Sequence, residues 1–92
     1  MTRTKIRKAI EKSLGNNKSF KGFSLEVSSD PSHGDYASNV AFLVSGKSKK
    51  NPLEVAKDLR FKILKLEPRI FEKVEVAKPG FLNFFLAKEY LQ

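Results

Sequence analysis

Cysteine is absent from this sequence and histidine occurs once, which leaves little of the usual chemistry of catalytic and metal sites. Without cysteine the chain can form no disulfide and offers no thiolate to a metal, and a reducing compartment suits it. No apolar run approaches the ~20 residues that span a membrane, and none of signal-peptide length follows the basic N-terminus. We therefore expect a cytoplasmic protein that has no membrane partner.

The one histidine, His33, lies in a polar loop with Asp30, Ser32 and Asp35, which are the residue types of a hydrolytic triad. A triad is defined by its hydrogen-bond geometry, and its members usually come from separate elements of the fold. The simpler interpretation is that His33 helps to hold the turn, with a small hydrolase as the alternative. Metal-ligand spacings and glycine-rich phosphate loops are also absent. We expect no catalytic residue, metal site or cofactor in this chain.

What the sequence does contain is enough apolar residues for one core and an uneven excess of positive charge. Its 92 residues are 40% hydrophobic and include eight Phe, which predicts a single small folded domain. The net charge is +8, and the excess lies in residues 1–22, with a net charge of +6, and residues 47–66, with +5. Such a surface attracts polyanions such as nucleic acid, although a basic face can also serve solubility alone.

The spacing of apolar residues predicts an α+β fold, in which helices pack on one face of a small antiparallel sheet of three to four strands. The first helix should cover residues 4–14 and end at Gly15, which suits a left-handed turn. A polar loop follows over residues 16–22, and residues 88–92 begin a further helix.

Two more helices are expected in the middle of the chain. A short helix, apolar nearly all round, should run from about residue 36 to 44, with Asp35 as its cap and Gly46 at its end. Another begins at Asn51-Pro52-Leu53-Glu54, where Asn caps the helix and Glu reaches back to the cap, and it runs to Leu66. The predicted core stripes of the two long helices are Ile6, Ala9, Ile10 and Leu14, and Val55, Ala56, Leu59, Ile63 and Leu66.

Alternating and β-branched segments predict strands over residues 23–27, 71–77 and 81–87. The last two should form a hairpin around Pro79-Gly80, residues that suit a type II turn. We expect the first strand to pair with that hairpin, because a lone two-stranded hairpin is marginally stable. A short fourth strand could lie near residues 32–35. Along the first strand, the side chains expected to face the core are Phe23, Leu25 and Val27.

The strand over residues 81–87 has two different faces, because successive side chains alternate. One face is uninterrupted and apolar and should cover the core: Leu82, Phe84 and Leu86. The other face carries Phe81 and Phe85 on either side of Asn83. An exposed aromatic ring stacks on an unpaired base, and an amide both donates to and accepts from a base edge. The alternative is that the two rings pack under a helix or a second domain, while Asn83 caps backbone groups.

Phe61 falls outside the apolar stripe of its helix and lies one turn from both Lys57 and Lys65. An apolar side chain among cations is typical of a docking surface. The alternative is a partly covered surface residue, since isolated exposed apolar side chains are common.

Three segments resemble, in order, the N-terminal domain of arginyl-tRNA synthetases. They are His33-Gly-Asp-Tyr-Ala-Ser-Asn39, the helix start at Asn51-Pro52, and Val74-Glu-Val-Ala-Lys-Pro-Gly-Phe-Leu-Asn83. The likeness covers nearly the whole chain, and the ordered set is more specific than any one segment. It implies that residues 1–92 are one domain that contacts the D-loop at the outer corner of tRNA(Arg).

The resemblance also implies roles for particular side chains. Phe81 would stack on a D-loop base, Asn83 would hydrogen-bond that base, and Lys78 would contact phosphate. Basic residues of the first and third helices, together with Phe61, would contact phosphate or other parts of the complex. Those basic residues are Lys5, Lys8, Lys12, Lys57 and Lys65.

In the family that the chain resembles, this domain precedes a class I catalytic domain and a helical anticodon-binding domain. The family's ATP-binding signatures and its arginine pocket are absent from this sequence. We therefore expect an excised or truncated domain of a ligase that joins arginine to tRNA(Arg) with ATP and magnesium. Its partners would be that tRNA and the catalytic domain of the same polypeptide. The alternative is a stand-alone basic module that binds RNA or protein without ligase activity.

Overall fold

The computed structural model describes residues 2–15 and 22–90, which form three α-helices and four β-strands. In chain order these are α1 (Thr2–Ser13), β1 (Leu25–Val27), β2 (Tyr36–Ser38), α2 (Val40–Ser48), α3 (Pro52–Leu66), β3 (Phe71–Ala77) and β4 (Phe81–Leu86). Short 3₁₀ helices lie at Pro31–His33 and Lys88–Tyr90. Most of the loop expected over residues 16–22, and the end of the helix expected over 88–92, fall outside the described residues.

The four strands form one antiparallel sheet in the order β1-β2-β4-β3, and the predicted α+β fold is confirmed. Strand β3 has the predicted bounds, and β3 and β4 form the predicted hairpin. Two expectations were wrong. Strand β1 pairs with β2 rather than with the hairpin, and the short extra strand lies at residues 36–38 rather than 32–35.

The prediction that a helix begins at residue 36 was wrong, because Asp35 hydrogen-bonds to β4 instead of capping a helix. The Asp35 N–H donates to the Phe84 carbonyl at 2.8 Å, and the Asp35 carboxylate accepts from the Leu86 N–H at 2.9 Å. These bonds hold the residues that follow alongside β4, where they form β2. Helix α2 begins only at Val40, whose N–H donates to Ser38 Oγ at 3.1 Å.

The other helix ends follow their local signals in part. Gly15 has a φ of 68°, as the predicted left-handed turn requires, and Asn51 Oδ1 accepts a backbone N–H at 2.8 Å at the start of α3. Glu54 pairs with a lysine of its own helix at 3.5 Å instead of reaching back to the cap. Gly46 lies inside α2, whose C-cap is instead Lys49, with a φ of 58°.

The turn between β3 and β4 is not the predicted type II turn. The Lys78–Pro79 peptide bond is cis, and Gly80 does not have the positive φ that a type II turn needs. Glycine is required at this position by a close approach, because a Cβ on Gly80 would lie 2.8 Å from the Cβ of Pro52. The turn therefore packs directly on the start of α3.

One core lies between the sheet and the three helices, and the predicted inward face of β4 is at its centre. Its buried members from that face and from the stripes of α1 and α3 are Leu82, Phe84, Leu86, Ile6, Ala9, Ile10, Val55, Ala56, Leu59 and Ile63. Two predicted core residues are exposed. Val27 is 67% exposed at the end of the edge strand β1, and Leu66 is 45% exposed in the last turn of α3.

Candidate functional site

The face of β4 that points away from the core carries Phe81, Asn83 and Phe85, as the alternation of side chains predicted. Two of their neighbours in the sheet are small, since Ala37 lies opposite Asn83 and Ala77 lies opposite Phe81. Alanine side chains cover little of the sheet. This end of the outer face therefore has open space above it.

Phe81 is the aromatic residue of this face whose ring remains partly open. Its ring packs edge-on against Phe42 of α2, with centroids 5.0 Å apart and an interplanar angle of 71°. The side chain is nevertheless 40% exposed. The contact with Phe42 fixes the orientation of the ring, and the exposed part is available for stacking.

Phe85, at the other end of the face, is covered. Lys73 Nζ lies 4.4 Å from the centroid of its ring, and the same ammonium pairs with Glu75 Oε2 at 3.2 Å. A ring that already holds a cation is less available to a base. Of the two aromatic residues predicted to be displayed on this face, Phe81 is the one whose ring is open to a base.

Asn83 is less open than predicted, because it is 7% exposed. It lies in the middle of the sheet, opposite Ala37 of β2 and Glu75 of β3. Among the described residues its amide has no hydrogen-bond partner, yet none of their buried side-chain polar atoms lacks one. Any hydrogen-bond partner of the amide therefore lies outside the described residues.

Phe81, Asn83 and Lys78 line the same surface depression, which has a volume of about 460 Å³. A volume of this order is typical of small-ligand sites. The floor of the depression is the outer face of the sheet, and its far wall is the loop that joins β1 to β2. The remaining lining residues are Val27, Ser28, Ser29, Asp30, His33, Ala37 and Ala77.

Gly34 explains how this loop comes so close to β4. Its φ is 89°, and a Cβ at this position would lie 2.7 Å from the carbonyl oxygen of Phe84 and 3.3 Å from the Phe85 ring. Only glycine tolerates both the backbone conformation and the contact. The loop wall is therefore seated directly on the strand that carries Phe81 and Asn83.

The loop does not form a catalytic triad. Ser32 Oγ donates to Asp30 Oδ1 at 2.8 Å, so the hydroxyl is not directed at His33. His33 Nδ1 lies 3.9 Å from Asp30 Oδ2, and both side chains are exposed. The Ser32 backbone N–H, followed by its hydroxyl, stabilises the carboxylate and holds the pKa of Asp30 below its usual value. These contacts shape a turn, which agrees with the simpler interpretation of His33.

The other residues proposed to contact RNA or a partner are not brought to this depression. Lys5, Lys8 and Lys12 lie on the exposed side of α1, which packs on the opposite face of the sheet. On α3, Lys65 Nζ lies 5.8 Å from the ring of Phe61. Phe61 is 64% exposed, as its place outside the apolar stripe predicted.

Sequence reasoning missed the residues that shape the depression. The sequence predicts one largely buried helix that contains both Ala37 and Phe42. In the structure Ala37 lies in β2, and Phe42 is half-buried and contacts Phe81. Strand β2 is three residues long, which is too short for alternation to reveal it. The available signal was Gly34, since a glycine beside an aspartate indicates a turn or a close backbone approach.

The helices within residues 2–15 and 22–90 lack the length and the continuous apolar surface that a membrane-spanning helix needs. The same residues contain no cluster of three or more His, Asp or Glu side chains that could hold a metal ion.

Comparison with known proteins agrees with the resemblance. A family model described as the arginyl tRNA synthetase N terminal domain matches residues 1–86. Curated relatives are arginine–tRNA ligases from Oceanobacillus iheyensis (43% identical over 67 residues), Carboxydothermus hydrogenoformans (42% over 69) and Mycoplasmoides gallisepticum (48% over 56). The matches cover 73%, 75% and 61% of this chain, but only 12%, 12% and 10% of the relatives. The chain therefore belongs to the arginyl tRNA synthetase N terminal domain family.

Proposed function

We propose that this chain is the tRNA-recognition domain of an arginine–tRNA ligase and that the depression on β4 contacts the D-loop of tRNA(Arg). The observation that carries the proposal is the combination of groups in one depression. Phe81 offers a partly open ring, Asn83 offers an amide without a described hydrogen-bond partner, and Lys78 offers a cation.

Each of these groups has a role in recognising an unpaired nucleotide. The Phe81 ring stacks on the base, which is favourable for any base. The Asn83 amide donates to and accepts from the edge of that base, which distinguishes one base from another. Lys78, at the rim, neutralises a neighbouring phosphate. Bases that are unstacked in loops are the usual targets of such sites, and a D-loop supplies them.

The wider function rests on the relatives, which are named as arginine–tRNA ligases and extend far beyond the matched region. In such a ligase, ATP with magnesium activates arginine, and the arginyl group is then transferred to the tRNA. The catalytic domain of the same polypeptide would perform both steps. This domain would contribute binding energy far from the chemistry, which helps to orient the reacting end of the tRNA.

The test measures binding of this chain to a tRNA(Arg) transcript by fluorescence anisotropy. Phe81→Ala and Asn83→Ala should each weaken binding by about 1–3 kcal/mol, the usual value of one stacked base or one specific base contact. Phe85→Leu is the matched control, because its ring is already covered by Lys73 and its loss should leave binding nearly unchanged.

A second arm uses transcripts in which single D-loop nucleotides are made abasic. The transcript that lacks the recognised base should bind weakly to the native chain and equally weakly to Asn83→Ala. Unchanged affinity in both β4 variants, or losses that every abasic transcript shows equally, would contradict recognition of a D-loop base by this face.

A further inference from the structure

A second depression lies on the helical side of the molecule, between α1 and the turn from α3 to β3. It has a volume of about 370 Å³ and is lined mainly by charged side chains. Four of them are cations, Lys5, Lys8, Lys12 and Arg69, and one is an acid, Glu67. We call it the α1 groove. It shares no residue with the depression on β4.

The cationic residues of α1 fall into two groups that do different work. Arg3 donates to the carbonyl oxygen of Leu25, and Arg7 stacks on the ring of Phe23 at 4.6 Å. These two arginines hold the helix against the segment that begins β1. The three lysines are exposed and line the α1 groove instead.

The lysines form a row rather than a cluster. Lys5 and Lys12 are seven residues apart, which is about 10 Å along a helix at 1.5 Å per residue, and Lys8 lies between them. Lys12 Nζ is 3.8 Å from Glu67 Oε2, and Lys5 Nζ lies 4.9 Å from the centroid of the Tyr90 ring. Tyr90 therefore holds one end of the row and Glu67 the other, and Arg69 adds a charge on the facing wall.

A row of cations of this length matches a repeating polyanion better than a single small anion. In a nucleic-acid duplex each strand carries one phosphate per ~3.4 Å of helix axis, so a row of lysines about 10 Å long is longer than the spacing of neighbouring phosphates and can contact more than one of them. We propose that the α1 groove binds the phosphate backbone of a single RNA strand. The choice of RNA among polyanions rests on the proposed function. The position of the site rests only on the residues that line the groove.

The experiment titrates the ¹⁵N-labelled chain with a 12-nucleotide oligouridine, which has backbone phosphates but no D-loop. Amide shifts should concentrate in α1 and around Ile70. Replacing Lys5, Lys8 and Lys12 together with Gln should weaken binding about tenfold. It should also reduce the slope of log affinity against log salt by about 2, because each phosphate that is no longer neutralised lowers the slope by ~0.7.

The matched control replaces Lys47, Lys49 and Lys50 with Gln, which removes the same charge outside the α1 groove. It should weaken oligouridine binding by less than about threefold, since it removes long-range attraction and no direct phosphate partner. Equal losses in the two triple variants would show diffuse attraction and would overturn the proposal. If the α1 triple variant unfolds, Arg69→Gln, at an exposed position, replaces it and should lower the salt slope by about 0.7.

Two further measurements distinguish this proposal from general attraction to polyanions and from binding at the depression on β4. A 12-residue polyglutamate that binds as tightly as oligouridine would overturn the choice of RNA. Phe81→Ala should weaken tRNA binding, and any loss that it causes in oligouridine binding should add to the loss caused by the α1 triple variant, because the two sites share no residue. Absence of the tRNA effect alone would contradict the function proposed for β4, and absence of the lysine effect alone would contradict the α1 groove.

Discussion

The two faces of β4 use the same kinds of residue for different purposes. Phe84 is fully buried and packs against Phe71, with ring centroids 5.3 Å apart, whereas Phe81, three residues earlier, keeps 40% of its surface exposed. The neighbours make the difference. Phe84 lies between Tyr36 and Val74 in the sheet and beneath the helices. Phe81 lies beside Ala77 on the outer face, where Phe42 of α2 contacts its ring edge-on and leaves part of it exposed. Whether an aromatic residue in a strand belongs to the core or to the surface thus depends on what covers its face of the sheet and not on its residue type.

The strongest test of the comparison removes the buried ring. Phe84→Ala should lower the free energy of unfolding by about 3–5 kcal/mol, because it leaves a cavity at the centre of a small core. Urea denaturation measures the change. The matched control is Phe61→Ala on α3, which is 64% exposed and should change stability by no more than about 0.5 kcal/mol. Similar losses in the two variants would mean that the covered face of β4 is not the core.

A smaller effect is expected where the loop meets the strand. Gly34→Ala should cost about 1–3 kcal/mol, because its φ is 89° and the new Cβ would lie 2.7 Å from the Phe84 carbonyl oxygen. Gly46→Ala in α2 should have the opposite sign and stabilise by about 0.5–1 kcal/mol, because nothing lies within 4 Å of its Cβ. Thermal unfolding of both variants checks the prediction, and a neutral Gly34→Ala would show that the loop is not seated on β4.

The open face is tested by a substitution that keeps bulk and removes the flat ring. Phe81→Leu should change the free energy of unfolding by less than about 1 kcal/mol, since an apolar side chain still packs on Phe42. Affinity for a tRNA(Arg) transcript should fall by about 1–3 kcal/mol, because leucine cannot stack on a base. The substitution should therefore lower affinity for tRNA much more than it lowers the free energy of unfolding. A large loss of stability would assign Phe81 to the core, against the comparison.

The smallest effect concerns Asp30, on the loop wall of the open face. Because the Ser32 N–H and hydroxyl stabilise its carboxylate, the pKa of Asp30 lies below its ordinary value of 3.8. A lowered pKa in the folded state adds stability above the unfolded pKa, and this contribution is lost as pH falls through the folded pKa. The window is therefore below about pH 4. NMR titration of the Asp30 carboxyl carbon should show a pKa below 3.8. Ser32→Ala removes the hydroxyl and should raise the pKa of Asp30.

Predictability from the sequence depended on how far away each residue's partner lies. Asn51 caps its helix through a backbone group two residues on, and β3 and β4 are joined by a short turn, so local patterns predicted both. Asp35 was assigned to a helix cap because its actual partner, Leu86, lies 51 residues along the chain. The same limit applies to Val27, because alternation predicts the face on which a side chain lies and not whether another element covers that face.

The candidate site shows the same division. Alternation alone placed Phe81 and Asn83 together on the face away from the core. It could not show that Phe42 would contact the Phe81 ring, that Lys73 would cover Phe85, or that Asn83 would be largely buried. Those facts depend on side chains that meet only in the folded chain. The role of the site residues in binding tRNA remains a prediction.

The two hydrogen bonds between Asp35 and β4 have a consequence for the energetics of recognition. They anchor the wall of the depression to the same strand that forms its floor, at 2.8 Å and 2.9 Å. The width of the depression is therefore set when the sheet forms, before any nucleotide arrives. A preorganised site loses little conformational entropy on binding, so more of each contact appears as affinity. Any fluctuation that detaches β2 would also widen the depression, so if RNA binds there as proposed, the local stability of that strand should affect its dissociation rate.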